Sequence, residues 1–179
     1  MTGRASTDEL TRATVTIVWV ILANKPFYPL YVWWLIGDGV AMSAVTLLSI
    51  PFFVAILLTA RRCALAARCL LPMIGAIDTV FETAIFGQPS ATLLFLAPCA
   101  TLAALSFHTD ERWWQRAVVC FVFACFAAGW FLIDAPAYPW TDSQIATLRT
   151  INIFAVGTLM AFIGLRYAGI SRGDGPNMP

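Results

Sequence analysis

The sequence predicts an all-α polytopic integral membrane protein: a bundle of six transmembrane helices with N and C termini cytoplasmic. Three observations predict it. First, hydrophobic residues make up 60% of the 179 positions and charged residues 12%, with a mean hydropathy of +0.78; soluble domains run at roughly 45–50% and about 25%. Second, six stretches of about 20 mostly apolar residues recur, the length needed to cross a hydrocarbon core about 30 Å thick. Third, nine of the eleven basic residues fall on one side of a six-crossing arrangement. The charge is too sparse for a water-facing surface, and a net charge of +1 gives no basic surplus for nucleic acid. A soluble globular domain, a disordered chain and a nucleic-acid binder are thereby excluded.

The spans are expected at 12–36, 40–60, 63–86, 90–107, 113–133 and 146–168. This divides the chain into a cytoplasmic segment (1–11), a transmembrane domain (12–168) and a disordered cytoplasmic tail (169–179) rich in Gly and Pro. The runs are apolar on consecutive positions, so they read as helices rather than alternating barrel strands. In the first span Asn24-Lys25-Pro26 interrupts two apolar halves, each too short to cross alone, and Pro26 and Pro29 favour one kinked crossing. Pro51, Pro72 and Pro98 fall inside the second, third and fourth spans, where each removes a backbone donor and predicts a bend. Met1 to Leu10 is polar, so the first apolar segment reads as a retained span rather than a cleaved signal peptide. The two halves share no aligned polar or proline pattern, which weighs against an inverted-repeat transporter.

Arginine placement sets the orientation. Arg4, Arg12, Arg61, Arg62, Arg68, Arg112, Arg116, Arg166 and Arg172 all fall on one face, and five or seven crossings would scatter them. By the positive-inside rule that face is cytoplasmic, so the expected location is a bacterial plasma (inner) membrane, multi-pass, with both ends inside.

The five cysteines reach no outer loop, and their spacings match no zinc motif. His108, the only histidine, is expected to cap the cytoplasmic end of the fourth helix. One histidine cannot ligate a haem on both faces or build a di-iron site. No hydrolase triad or metalloprotease motif occurs. No cofactor and no catalytic activity are expected.

Ionisable side chains inside a membrane are costly and raise a functional question by default. Asp78 and Glu82 stand four residues apart on the third helix and share a face. A rise of about 1.5 Å per residue puts them roughly 22 and 28 Å from the cytoplasmic start of that span. Arg149 and Asn152 lie roughly 5 and 9 Å below the outer end of the sixth by the same rise. Lys25 comes from the kink in the first span. Two acids and two bases at one depth could neutralise one another. Phe27, Tyr28, Tyr31, Trp33, Trp34, Trp130, Tyr138 and Trp140 gather at the same end. The aromatics read either as an interfacial belt with snorkelling charges or as the walls of a cavity open to the outside. The short side chain of Asp78 favours the cavity. The candidate ligand-binding residues are therefore Asp78, Glu82, Arg149, Asn152, Lys25 and Trp130.

The stretch Asp78-Thr79-Val80-Phe81-Glu82, Phe86-Gly87-Gln88-Pro89-Ser90, Leu96-Ala97-Pro98-Cys99-Ala100 and Ser106-Phe107 resembles the six-helix sensor modules that precede nucleotide cyclase or histidine kinase domains in bacteria. The resemblance covers about a third of the chain. It implies reception of an extracellular or membrane-borne signal, with Asp78, Phe86, Gly87, Ser90, Pro98 and Cys99 as helix-turn-helix framework. About ten residues follow the sixth span, a departure from that pattern. It implies either the membrane part of a larger protein or a free-standing relative that signals through a separate cytoplasmic partner.

The leading expectation is thus a receptor-like sensory module with an outward-facing ligand pocket. The alternatives are a small transporter or channel subunit, oligomeric through Ala100/Ala104 and Ala124/Ala128, and an accessory subunit of a membrane complex. Membrane lipids and a small-molecule ligand are the expected partners, with a second copy or a cytoplasmic signalling protein beside them.

Overall fold

A computed structural model describes the backbone of residues 3–173 and the side chains of residues 9–170. The tail beyond 173, Met1, Thr2 and the side chains of Arg4 and Arg172 lie outside the described residues. Helix makes up 86% of the described residues, and no strand occurs among them.

Among the described residues, eight α-helices follow one another: α1 (Gly3–Asn24), α2 (Phe27–Ile36), α3 (Val40–Ala44), α4 (Ile50–Ala60), α5 (Ala64–Phe86), α6 (Leu96–Leu105), α7 (Arg112–Phe131) and α8 (Asp142–Gly173). Among the described residues, five stretches are long and apolar enough to cross a membrane: Glu9–Ile36, Val40–Ala60, Ala64–Phe86, Thr109–Phe131 and Asp142–Ile170. The fourth expected span is the exception. It is the shorter apolar stretch Thr92–Leu105, roughly 23 Å long at about 2.0 and 1.5 Å rise for its 3-10 and α portions. Gly87 (φ 79°) and Ala91 (φ 61°) turn the chain on either side of a single 3-10 turn, Gln88–Ser90, so the stretch that continues into α6 starts only at Thr92. The α8 helix runs on through Gly173, past the point where the tail was expected to begin.

The kink expected in the first span falls at Lys25-Pro26. Lys25 N–H still bonds the Ile21 carbonyl at 2.9 Å, Pro26 offers no donor, and Tyr28 N–H then reaches the Lys25 carbonyl at 3.1 Å. Of the three expected proline bends, only Pro72 lies in a helix interior. Pro51 and Pro98 instead sit in the first turns of α4 and α6, each following a 3-10 stretch (Val45–Ser49 and Thr92–Phe95). A first-turn residue needs no intrahelical partner for its N–H, so proline costs nothing there. The first of these stretches is lined by hydroxyls bonded three residues back: Ser43 to Val40, Thr46 to Ser43 and Ser49 to Thr46, at 2.8, 2.7 and 2.9 Å. These bonds satisfy the side chains without water.

The α5 helix is the centre of the bundle and packs against α1, α4, α6 and α7. It buries Ala67, Leu71, Ala76, Ile85 and Phe86, and its Thr79 and Thr83 hydroxyls bond back to carbonyls four residues earlier. Gly75 allows α6 to come close, since a Cβ there would lie 2.9 Å from Cys99 Sγ. The outward faces carry Trp19, Phe52, Phe123, Phe131, Phe154 and Leu165, all well exposed. Large apolar side chains around the whole perimeter suit lipid and would aggregate in water.

Candidate functional site

The two ends of the bundle differ in chemistry. At one end the 3-10 stretch of α3–α4, the α1–α2 turn and the last turns of α5 bring three of the six candidate residues together. Lys25 Nζ contacts Asp78 Oδ2 at 2.6 Å and Glu82 Oε1 at 2.8 Å, and donates to the Thr46 carbonyl at 3.2 Å. An ammonium has three donors, and all three are used. The Thr46 carbonyl, which also accepts from the Ser49 hydroxyl, takes Lys25 on its second lone pair, since Ile50 N–H bonds Leu47 instead. The Lys25 side chain also lies 5.7 Å above the Phe53 ring. The side chains of Lys25, Asp78 and Glu82 are only 11%, 10% and 18% exposed.

Two carboxylates therefore share one cation. Asp78 Oδ1 is buried and has no hydrogen-bond partner. An acceptor left open in a low-dielectric site costs free energy and marks the cluster's incomplete corner. Beside it runs a groove of about 360 Å³ lined by Leu48, Ser49, Phe52, Ile74, Ile77 and Phe81 with Asp78. Leu48, Phe52 and Ile77 are themselves exposed, so the groove opens on the flank of the bundle between α4 and α5.

Asn152 forms a separate, fully satisfied node. Its Nδ2 donates to the Ser90 carbonyl at 2.9 Å and to Thr92 Oγ1 at 3.2 Å, and its Oδ1 accepts from Tyr28 Oη at 3.3 Å. Arg149 does not join the cluster, against expectation. It is exposed and makes no ion pair among the described residues. The buried stripe of α8 runs through Leu148, Asn152, Ile163 and Tyr167, and Arg149 lies about 100° around the helix from Leu148. Trp130 also faces away: it is 53% exposed and stacks on Phe126 at 6.0 Å, while the buried stripe of α7 runs through Val118, Val122 and Gly129. The expected two-acid, two-base balance is thus two acids to one base.

The aromatics divide between the two readings of them. Phe27, Tyr31, Trp33, Trp34 and Trp130 face outward as a belt. Tyr28 packs edge-on to Phe86 at 5.5 Å, and Trp140 lies 5.6 Å from the same ring while its indole N–H bonds the Ile85 carbonyl at 3.2 Å. Gly39, at φ +69°, lets Trp140 sit where a Cβ would be 2.2 Å from the ring. Tyr138, outside the spans, donates to Asp38 Oδ1 at 3.0 Å. That hydrogen bond, more than burial or the nearby negative charge, holds its phenol above the ordinary value of 10.

At the other end, Arg68 is buried and paired with Glu111 through Nη2, although the sequence places it only as one of several arginines at a turn. Ser106 and Tyr167 hydroxyls meet nearby at 2.6 Å. His108 does not cap α6. Its backbone N–H donates to Glu111 Oε2 at 3.0 Å and starts the next turn, because α6 already ends at Leu105. Gln88, unremarked by spacing, donates to the carbonyls of Gly129, Trp130 and Ile133 and so closes the end of α7. Among the described residues, no group of three His, Cys, Asp or Glu could hold a metal ion.

Fold and site together define a multi-helical protein suited to a membrane, with one buried charge cluster that is short of a donor. Comparison with protein-family models, curated proteins and solved structures gives no match.

Proposed function

We propose that the chain is a receptor-like sensory module of a bacterial inner membrane. In this reading it crosses six times with both termini cytoplasmic, and it binds an amphipathic amine in the flank groove at Asp78. The observation that carries the reading is that Asp78, whose buried Oδ1 has no partner, is also the one acidic residue lining an apolar groove. An ammonium would supply the missing donor and the missing positive charge, and an apolar body would fill the space between Phe52, Ile77 and Phe81. The orientation is supported by Arg12, Arg61, Arg68 and Arg166, which gather at the end opposite the cluster. In this reading the short Thr92–Leu105 segment makes the fourth of the six crossings. On its outer approach Asn152 takes up the Ser90 carbonyl, while Gln88 reaches across to the carbonyls at the end of α7.

Signalling would start at Lys25. A ligand cation at Asp78 competes with Lys25 for the same carboxylate, and Lys25 joins the α1–α2 turn to α5 and to the 3-10 stretch before α4. Weakening one of its three bonds shifts the balance at that turn, a change that a cytoplasmic partner or output domain could read. Nothing in this reading calls for catalysis.

The test uses three probes of one shape: 2-phenylethylamine, 2-phenylethanol and phenylacetate. Their effect on the thermal unfolding of the purified protein in mild detergent is compared. The amine should stabilise the protein and the other two should not, and Asp78→Asn should abolish the difference. Equal responses to all three probes, or an unchanged amine response in Asp78→Asn, overturn the assignment. Substrate-dependent flux of the amine into liposomes would instead favour a transporter.

A further inference from the structure

A second cleft, of about 500 Å³, opens at the arginine end of the bundle between α1, α4 and α8. Three helices each contribute one guanidinium to its rim: Arg12 from α1, Arg61 from the end of α4 and Arg166 from α8. Among the described residues, no acidic side chain lines it. Arg61 and Arg166 make no ion pair among the described residues.

The rest of the lining is ordered along the helix axes. From Arg12, α1 passes through Val15 to Trp19, roughly 10 Å deeper at about 1.5 Å per residue. Antiparallel α4 passes from Leu57 up to Arg61, roughly 6 Å by the same rise. Both walls are thus cationic at the bundle end and apolar towards its middle, and Trp19 stands exposed at the lower rim. A small soluble anion would use only the upper part of such a cleft. A molecule with an anionic head and a hydrocarbon body matches all of it, and the volume is that of an ordinary ligand site.

We propose that this cleft binds the headgroup of an anionic phospholipid. The phosphate lies between Arg61 and Arg166, and the glycerol and first acyl carbons lie along Val15, Trp19 and Leu57. The bound lipid ties the first helix of the bundle to its last. Basic pockets between transmembrane helices are a recurrent solution to headgroup binding, and guanidinium forks match phosphate oxygens in pairs.

The full-length protein is tested by native mass spectrometry after exchange into phosphatidylglycerol, phosphatidylcholine or glycerol 1-phosphate. Phosphatidylglycerol should bind at least tenfold more tightly than phosphatidylcholine, and glycerol 1-phosphate should bind far more weakly than either lipid. The double variant Arg61→Gln/Arg166→Gln should lower phosphatidylglycerol affinity about 25-fold, at about fivefold per arginine. Arg62→Gln/Arg112→Gln, which removes two exposed arginines outside the cleft, should leave it unchanged. Should the first pair fail to purify, Arg61→Gln alone carries the test with a loss of about fivefold. Three results overturn the proposal: equal affinity for the two lipids, an equal loss in the control pair, or glycerol 1-phosphate binding as tightly as the lipid.

Discussion

Replacing Lys25 by Met keeps most of the side chain's apolar stem and removes the charge. The perturbation ends two ion pairs, at 2.6 and 2.8 Å, and one bond to the Thr46 carbonyl. It leaves two carboxylates one helical turn apart, 10% and 18% exposed, with no cation between them. Breaking a buried pair by removing one partner costs about 3–5 kcal/mol. At about 2–4 °C per kcal/mol for a chain of this size, the Tm should fall by about 6–20 °C. Intrinsic fluorescence of the seven tryptophans during heating in mild detergent provides the assay. The charge-free variant Lys25→Met/Asp78→Asn/Glu82→Gln should recover most of the loss, because removing a whole network is far less costly than orphaning part of it. A fall of under about 1 kcal/mol in Lys25→Met, or a triple variant as unstable as the sum of its parts, would refute the idea that these three side chains act as one unit.

Asn152→Ala should cost about 1–3 kcal/mol by leaving the Ser90 carbonyl and the Tyr28 hydroxyl without their partner, whereas Arg149→Ala three residues away should stay within about 0.5 kcal/mol; paired melts compare them directly. Gly39→Ala should destabilise by about 1–3 kcal/mol and shift the tryptophan emission, since its Cβ would overlap the Trp140 ring at a left-handed φ. Tyr138 should ionise above pH 10, so its bond to Asp38 persists at neutral pH and is lost only as pH rises through the raised value. Ultraviolet difference titration of the wild type against Tyr138→Phe isolates that group, and Asp38→Asn should bring it back towards 10.

The positions of the helices were legible because the signal is the length of an apolar run, which survives without any knowledge of packing. Val40–Ala60 and Ala64–Phe86 fall within a residue of their expected limits for that reason. The kink at Lys25-Pro26 and the shared face of Asp78 and Glu82 were legible too, because both are local: one missing N–H, and one helical turn. Rotation about the helix axis was not legible. In a lipid-facing helix the inner and outer faces are equally apolar, so periodicity leaves the inward direction open. Arg149 and Trp130 were misplaced on that account, each about 100° from its helix's buried stripe. The Arg68–Glu111 pair, separated by 43 residues, and the reach of Gln88 across to the end of α7 depend on which helices lie side by side, which no spacing encodes.

The most direct measurement of the central claim is photolabelling with a phenylethylamine that carries a diazirine, followed by peptide mapping. Occupancy of the flank groove predicts labels on peptides containing Phe52 and on those containing Ile77 and Phe81. Those labels should be displaced by excess unlabelled amine and lost in Asp78→Asn. Labels concentrated around Trp130 and Arg149, or labelling of the groove that Asp78→Asn leaves unchanged, would contradict it.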